Sequence, residues 1–135
     1  MKIEINNKAN YKIDLKFVKK AVRAFGRAYK LNKNKEISLA FVSDAEIKKL
    51  NFTYRGLNKA TDVLSFAGDG SYLGEIIIDY NQIKRQAGDF KNNARDELIF
   101  VLAHGLLHLL GYDDKTDKER GEMIKMGQKF IKNYL

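Results

Sequence analysis

The sequence predicts an α+β domain in which a small mixed four-stranded β-sheet is packed with about five helices, and three observations carry that expectation. Short alternating or apolar runs of strand length occur four times, and longer stretches with helical apolar spacing lie between and after them. The order of the two kinds of segment is mixed, βαβαββααα. At 135 residues, 44% of them apolar and 31% charged, the chain has the size and composition of a single globular domain spanning 1–135. No internal repeat, linker or low-complexity tract interrupts it.

Each element has its own signal. KIEIN (2–6) alternates as a half-buried strand does, and 6–11 reads as a polar loop. After Asp14, a helix-capping residue type, Leu15, Val18, Val22, Phe25 and Tyr29 recur on one face while Lys16, Lys19, Lys20, Arg23, Arg27 and Lys30 take the others. EISLAFVS (36–43) is a second strand. Ser43 and Glu46 then have the spacing of a capping box, opening a short helix to about Asn51. TDVLSFA and LGEIIIDY are two further strands joined by a glycine-rich turn at 68–74, and a short helix over about 80–88 stops near Gly88. The longest apolar segment, NARDELIFVLAHGLLHLL (93–110), is helical by length, with Asp96 and Glu97 at its positive end. Gly111 supplies a left-handed stop, and Thr116 or Asp117 caps a last amphipathic helix running to the C-terminus.

Composition excludes several classes of protein. With no cysteine there is no disulfide framework, thiolate metal site or cysteine nucleophile, so a metal must be held by imidazole and carboxylate. The polar N-terminus is unlike a signal peptide and the apolar runs are shorter than a membrane span, so a cytoplasmic protein without membrane partners is expected. The net charge of +8 is uneven: residues 1–60 hold 15 Lys and Arg against 5 Asp and Glu, residues 61–135 only 10 against 12. An N-terminal excess of this kind suits a polyanion such as nucleic acid, with Arg23 and Arg27 on the basic helix as candidate contacts; it is also what a lysine-rich compositional bias gives.

The chemistry concentrates in HGLLHLLGYDD (104–114), which holds both histidines of the chain. Four residues apart on a helix, His104 and His108 lie about 40° apart around the axis and about 6 Å along it, so their imidazoles can share one ion. Ten more helical residues would carry position 114 about 15 Å along the axis; the chain must turn back, and Gly111 stands where the turn is needed. His at 0 and +4, Gly at +7 and a ligand at +10 is the metzincin zinc spacing, here His104, His108, Gly111 and Asp114. Asp113 and Asp117 compete for the third position, Asp113 being better suited to a loop backbone or to orienting a ligand histidine. Two buried core histidines bonded to backbone are the competing reading. The glutamate that serves zinc peptidases as general base is replaced by Gly105, which argues against peptide hydrolysis.

Three segments together resemble the bacterial YbeY family of rRNA maturation factors. HGLLHLLGYDD is similar to its H-G-x-L-H-L-x-G-Y-D-H signature, LNFTYRGLNKATDVLSF (50–66) to its L-N-x-x-Y/W-R-G-x-x-x-x-T-D-V-L-S-F segment, and LGEIIIDY to the following G-E-I strand, in the family's order. The resemblance implies a zinc-peptidase-like helix arrangement, one zinc ion per chain, and a single-strand-specific, metal-dependent endoribonuclease acting on rRNA, especially the 16S 3′ end, and in quality control of ribosomes and their small subunit. It implies zinc ligands at His104, His108 and position 114, where the family has His and this chain has Asp114. Carboxylate is a normal zinc ligand, but it lowers the net charge of the loaded site by one, so weaker activation of water or tolerance of a harder metal is expected. It also implies that Arg55 is the family's functional arginine.

Arg55 suits that role, because a guanidinium fork can clamp a phosphate or offset charge developing on it; a salt bridge to Asp62 or a solvated loop cation is the plainer alternative. Lys59 and Tyr54 are candidate phosphate and base-stacking contacts, whereas Thr61, Asp62 and Ser65 are expected to cap and pin the loop and strand. In the leading reading Arg55, His104 and His108 are catalytic, and water or Asp113 takes the proton. Two others stand beside it: a non-catalytic rRNA-binding assembly factor whose metal is structural, closed by a fourth ligand such as Asp117, and a metallopeptidase.

Overall fold

The computed structural model describes residues 1–134 and has nine elements in the anticipated order. They are β1 (Lys2–Asn7), α1 (Leu15–Ala28), β2 (Glu36–Phe41), α2 (Asp44–Arg55), β3 (Val63–Ala67), β4 (Tyr72–Ile78), α3 (Tyr80–Asp89), α4 (Ala94–Leu109) and α5 (Asp117–Tyr134). The sheet order is β1-β2-β4-β3. β1, β2 and β4 are mutually parallel and β3 pairs antiparallel with β4, so the sheet is mixed. Residue 135, which ends the anticipated last helix, lies outside the described residues.

Helix starts follow local chemistry closely. Asp14, Ser43, Asp79 and Asn93 each accept a first-turn backbone N–H, opening α1, α2, α3 and α4. Only half of the anticipated box forms at Ser43: it accepts from Glu46 N, while the Glu46 carboxylate is drawn to Lys8 Nζ at 2.6 Å. The complete box belongs to α5, where Thr116 accepts from Glu119 N and donates its own N–H to Glu119 Oε1, both at 3.1 Å.

Helix ends depart more from expectation. α2 runs past Asn51 to Arg55 and stops at Gly56, whose φ of +71° is left-handed, so Arg55 ends a helix instead of lying in a loop. α3 includes Gly88 and ends one residue later, at Asp89, with Lys91 taking the positive φ. α4 ends as anticipated at Gly111, φ +97°. There Gly111 N donates to His108 O and Tyr112 N to Leu107 O, the paired bonds of a Schellman turn.

The main core lies between one sheet face and α1, α3, α4 and α5, and includes Val22, Phe25, Leu39, Ile76, Leu102 and Phe130. Ile47 of α2 packs on the other face with Val42, Leu64 and Ile77. Gly105 sets how closely α4 sits on the sheet: a Cβ there would meet Ser65 Oγ at 3.1 Å and Ile76 Cγ2 at 3.2 Å. Ser65 Oγ donates to Gly105 O across the same contact, at 3.3 Å.

Candidate metal centre

α4 presents Glu97, Val101, His104 and His108, spaced at helical intervals, along the floor of a cleft of about 460 Å³. β3 and the end of α2 form one wall, with Asp62, Ser65 and Arg55. α5 forms the other with Arg120 and Ile124, and Gln86 of α3 lines it as well. After the turn at Gly111, α5 runs back along α4, bringing Gly127 against Phe100.

The turn delivers Asp114 to the two imidazoles. Asp114 Oδ2 lies 3.2 Å from His104 Nε2 and 3.4 Å from His108 Nε2, and the two Nε2 atoms are 3.1 Å apart. A tetrahedron with metal–ligand bonds of about 2.0–2.1 Å has edges of about 3.3–3.4 Å, so the three atoms are spaced as three corners of one coordination sphere. Their chemistry agrees. His108 Nδ1 faces the Tyr112 carbonyl at 3.1 Å, which makes Nδ1 the donor and, in the neutral ring, turns the Nε2 lone pair inward. With His104 Nε2 and a carboxylate oxygen aimed at the same point, at most one ring N–H, on neutral His104, is left among three inward-facing atoms. A cation satisfies the centre.

Charge states favour the same conclusion. Burial, helped by the charge of His108, pulls His104 below the usual imidazole range despite Asp114 beside it, which favours the neutral, ligating form. Burial would raise Asp114, but His108 and His104 outweigh it and hold the carboxyl below its usual range, keeping it ionised.

The other aspartates separate cleanly. Asp113 accepts from Asp114 N at 2.9 Å and faces Lys115 Nζ at 3.5 Å, so it shapes the loop, while the backbone of Tyr112 orients His108. Asp117 is fully exposed and paired with Arg120 at 2.9 Å, away from the triad. Asp62 is both pin and wall: its carbonyl accepts from Asp79 N, and its Oδ2 takes a 2.9 Å bond from Gln86 Nε2, which also reaches Glu97 Oε1 at 3.4 Å. Among the described residues Arg55 makes no ion pair, so the alternative bridge to Asp62 is absent and its guanidinium is available to the cleft.

Not every candidate reaches this place. Lys59 and Tyr54 are exposed beyond the cleft wall, Lys59 in the loop whose carbonyl is held by Asn51 Nδ2 and Tyr54 edge-on to Phe66 at 5.0 Å. Arg23 donates to Met1 O and, with Arg27, Lys30 and Lys33, lines a separate shallow groove. Gln86, Glu97 and Arg120 escaped the sequence reading. Only Glu97 had a signal, since it lies on the helical stripe that carries His104 and His108.

Comparison with known proteins gives a consistent picture. The family model described as "Endoribonuclease YbeY" matches residues 2–135. A protein of that name from Nautilia profundicola is 39% identical over 133 residues, covering 96% of this chain and 89% of its own. Another from Syntrophomonas wolfei is 34% identical over 146 residues, covering 97% and 94%. A solution structure of a Thermotoga maritima protein superposes with a TM-score of 0.66 at 31% identity, covering 96% of this chain and 87% of that one.

Proposed function

The chain belongs to the YbeY family, and from that premise we propose that it is a zinc-dependent endoribonuclease of single-stranded RNA. Its place is rRNA maturation at the 16S 3′ end and quality control of the small ribosomal subunit, in the cytoplasm. The observation that carries the reading is the convergence of His104 Nε2, His108 Nε2 and Asp114 Oδ2 on one point in an open cleft that Arg55 also lines. No helix among the described residues is long and apolar enough to cross a membrane.

His104, His108 and Asp114 would hold the ion, and two imidazoles with one carboxylate are a known catalytic zinc set. Bound there, zinc supplies a Lewis acid that polarises a phosphoryl oxygen and acidifies water. The protein does the rest. Tyr112 O fixes the His108 tautomer, and Asp113 ties down the backbone of Asp114, so the donors are oriented before the ion arrives. Arg55 offsets negative charge gathering on the phosphate under attack. Asp113 is turned toward Lys115, which leaves the proton to solvent admitted by the open cleft. Lys59, with Arg23 and Arg27 in their own groove, would hold RNA beyond the cut site.

The competing readings lose their structural support. A metal closed off for structure needs a fourth protein ligand, and Asp117 faces Arg120. A peptidase needs a glutamate after the first histidine, where α4 lies against β4. The test is to substitute His104→Ala and His108→Ala separately and follow zinc content and cleavage of single-stranded RNA together. Both should fall in step; a metal-free variant that still cuts RNA at the wild-type rate would refute the proposal.

A further inference from the structure

Arg120 has no role in the reading above, yet it lies on the α5 wall of the metal cleft that Arg55 also lines. The charges around it give it work. Asp62, Glu97 and Asp114 put three carboxylates on this cleft, and without Arg120 they face the single guanidinium of Arg55. With a divalent ion in the triad and Arg55 beside it, those three carboxylates are just neutralised, so without Arg120 the loaded cleft offers a polyanionic strand no net attraction. A second cation gives the cleft the net positive charge that holds a strand.

Arg120 is placed at the rim for that purpose. Its side chain is 53% exposed, against 21% for His104, so it reaches a strand at the mouth rather than the atoms converging at the triad. Its present partner is replaceable. Asp117 is 100% exposed and holds the guanidinium by one bond of 2.9 Å, an i,i+3 surface pair of the kind that contributes little stability. A phosphate offers the planar fork two parallel bonds in its place.

We propose that Arg120 is a second phosphate-binding side chain of the cleft, gripping a phosphodiester of the RNA strand adjacent to the one that is cut. This rests on the RNA-cleaving function proposed above. In its terms Arg55 serves the reacting phosphate and Arg120 sets how the strand lies across the ion. Because the Arg120 contact is the same before and during the reaction, its loss shows in KM more than in kcat.

The probe is a fluorescent 2′-O-methyl single-stranded RNA, which lacks a free 2′-hydroxyl, titrated into the metal-loaded protein over a series of salt concentrations. Arg120→Gln should weaken binding about tenfold and lower the slope of log affinity against log salt by about 0.7, the loss of one phosphate contact on a single strand. Arg120→Lys should keep the slope and part of the affinity. Asp117→Asn, which removes the competing carboxylate, should tighten binding about twofold. A purely structural role for Arg120 predicts none of this pattern. Wild-type affinity and slope in Arg120→Gln would overturn the assignment while leaving the endoribonuclease reading intact, as would an equal fall in kcat and kcat/KM, which puts Arg120 on the reacting phosphate. A wild-type protein that neither binds nor cuts RNA would overturn both.

Discussion

Replacing Gly105 by glutamate restores the zinc-peptidase sequence pattern on α4, and the structure says what it costs. The added Cβ must fit where Ser65 Oγ lies at 3.1 Å, Ile76 Cγ2 at 3.2 Å and Ile76 Cδ1 at 3.3 Å. Overpacking of this kind costs about 1–3 kcal/mol, of which the gain in helix propensity over glycine returns about 1 kcal/mol. The carboxylate is then pressed between α4 and β4 against Ile76, itself fully buried, and an unpaired buried charge costs several kcal/mol more. The total, about 5 kcal/mol, equals the whole stability of the weaker natural domains. Thermal unfolding followed by circular dichroism measures it, with Gly105→Ala separating the steric part. Gly105→Ala should lower Tm by a few degrees, about 4 °C for each kcal/mol in a domain of this size. Gly105→Glu should lose its cooperative transition at growth temperature and gain no peptidase activity. A Gly105→Glu variant with wild-type Tm would refute the packing argument, and zinc-dependent peptide cleavage by it would refute the mechanistic one.

Two other outcomes follow from the geometry. Asp114→Asn should cost more metal affinity than the 10–100-fold typical of a lost supporting contact, while Asp113→Asn costs less; metal content after dialysis against a weak chelator decides, and full retention in Asp114→Asn would hand the ligand role to another group. Stability should also depend on pH through a carboxyl pair, Asp79 and Asp44, that does not line the cleft. Burial, reinforced by the neighbouring Asp44, pushes Asp79 up to about 6, while Arg85, with Asp79, holds Asp44 down to about 2. A raised acid stabilises the fold while protonated, so the Asp79 contribution is present near pH 4 and is lost as pH rises through 6. The Asp44 contribution has the opposite sign, lost as pH falls from about 4 toward 2, and is tempered because its pair with Arg85 is half exposed. Asp79→Asn keeps an oxygen for Tyr11, Asn81 and Gln82 but cannot ionise. Its urea midpoint should exceed wild type at pH 7.5 by a margin that shrinks toward pH 4, and parallel curves for the two proteins would rule the account out.

What the sequence could tell divides along the range of the interactions. Helix starts were legible because a cap is a contact between a residue and an N–H two or three positions on, as at Asp14 and Asn93. The box at Ser43 was half wrong because Glu46 found a distant partner, Lys8, whose approach depends on the fold. The last turn of α2 is hidden from the sequence because the position that continues the buried face of Ile47 is the polar Asn51, while Phe52 and Tyr54 are exposed and mark no stripe. Gly88 looked like a stop, yet its φ is not in the left-handed region, and Lys91 makes the turn instead.

The site obeys the same division, and the proposed metal ligands are more legible in the sequence than the rest of the cleft. His104, His108 and Asp114 are fixed relative to one another by one helical turn, a Schellman turn at Gly111 and a short loop closed by the Thr116–Glu119 box. All of that lies within 16 consecutive residues, 104–119, and leaves its spacing in the sequence. The walls are assembled from β3, α3 and α5, which pack against α4, and from the end of α2, whose buried side lies on the other face of the sheet. Arg55 was reached through the family motif, and no spacing rule connects it to Arg120, 65 positions away. A short-range centre with long-range walls lets proposed RNA-binding residues such as Arg120 change without disturbing the geometry of the donors. Metal affinity and RNA affinity should therefore be separable in variants, metal loss following the three donors and strand binding following the arginines.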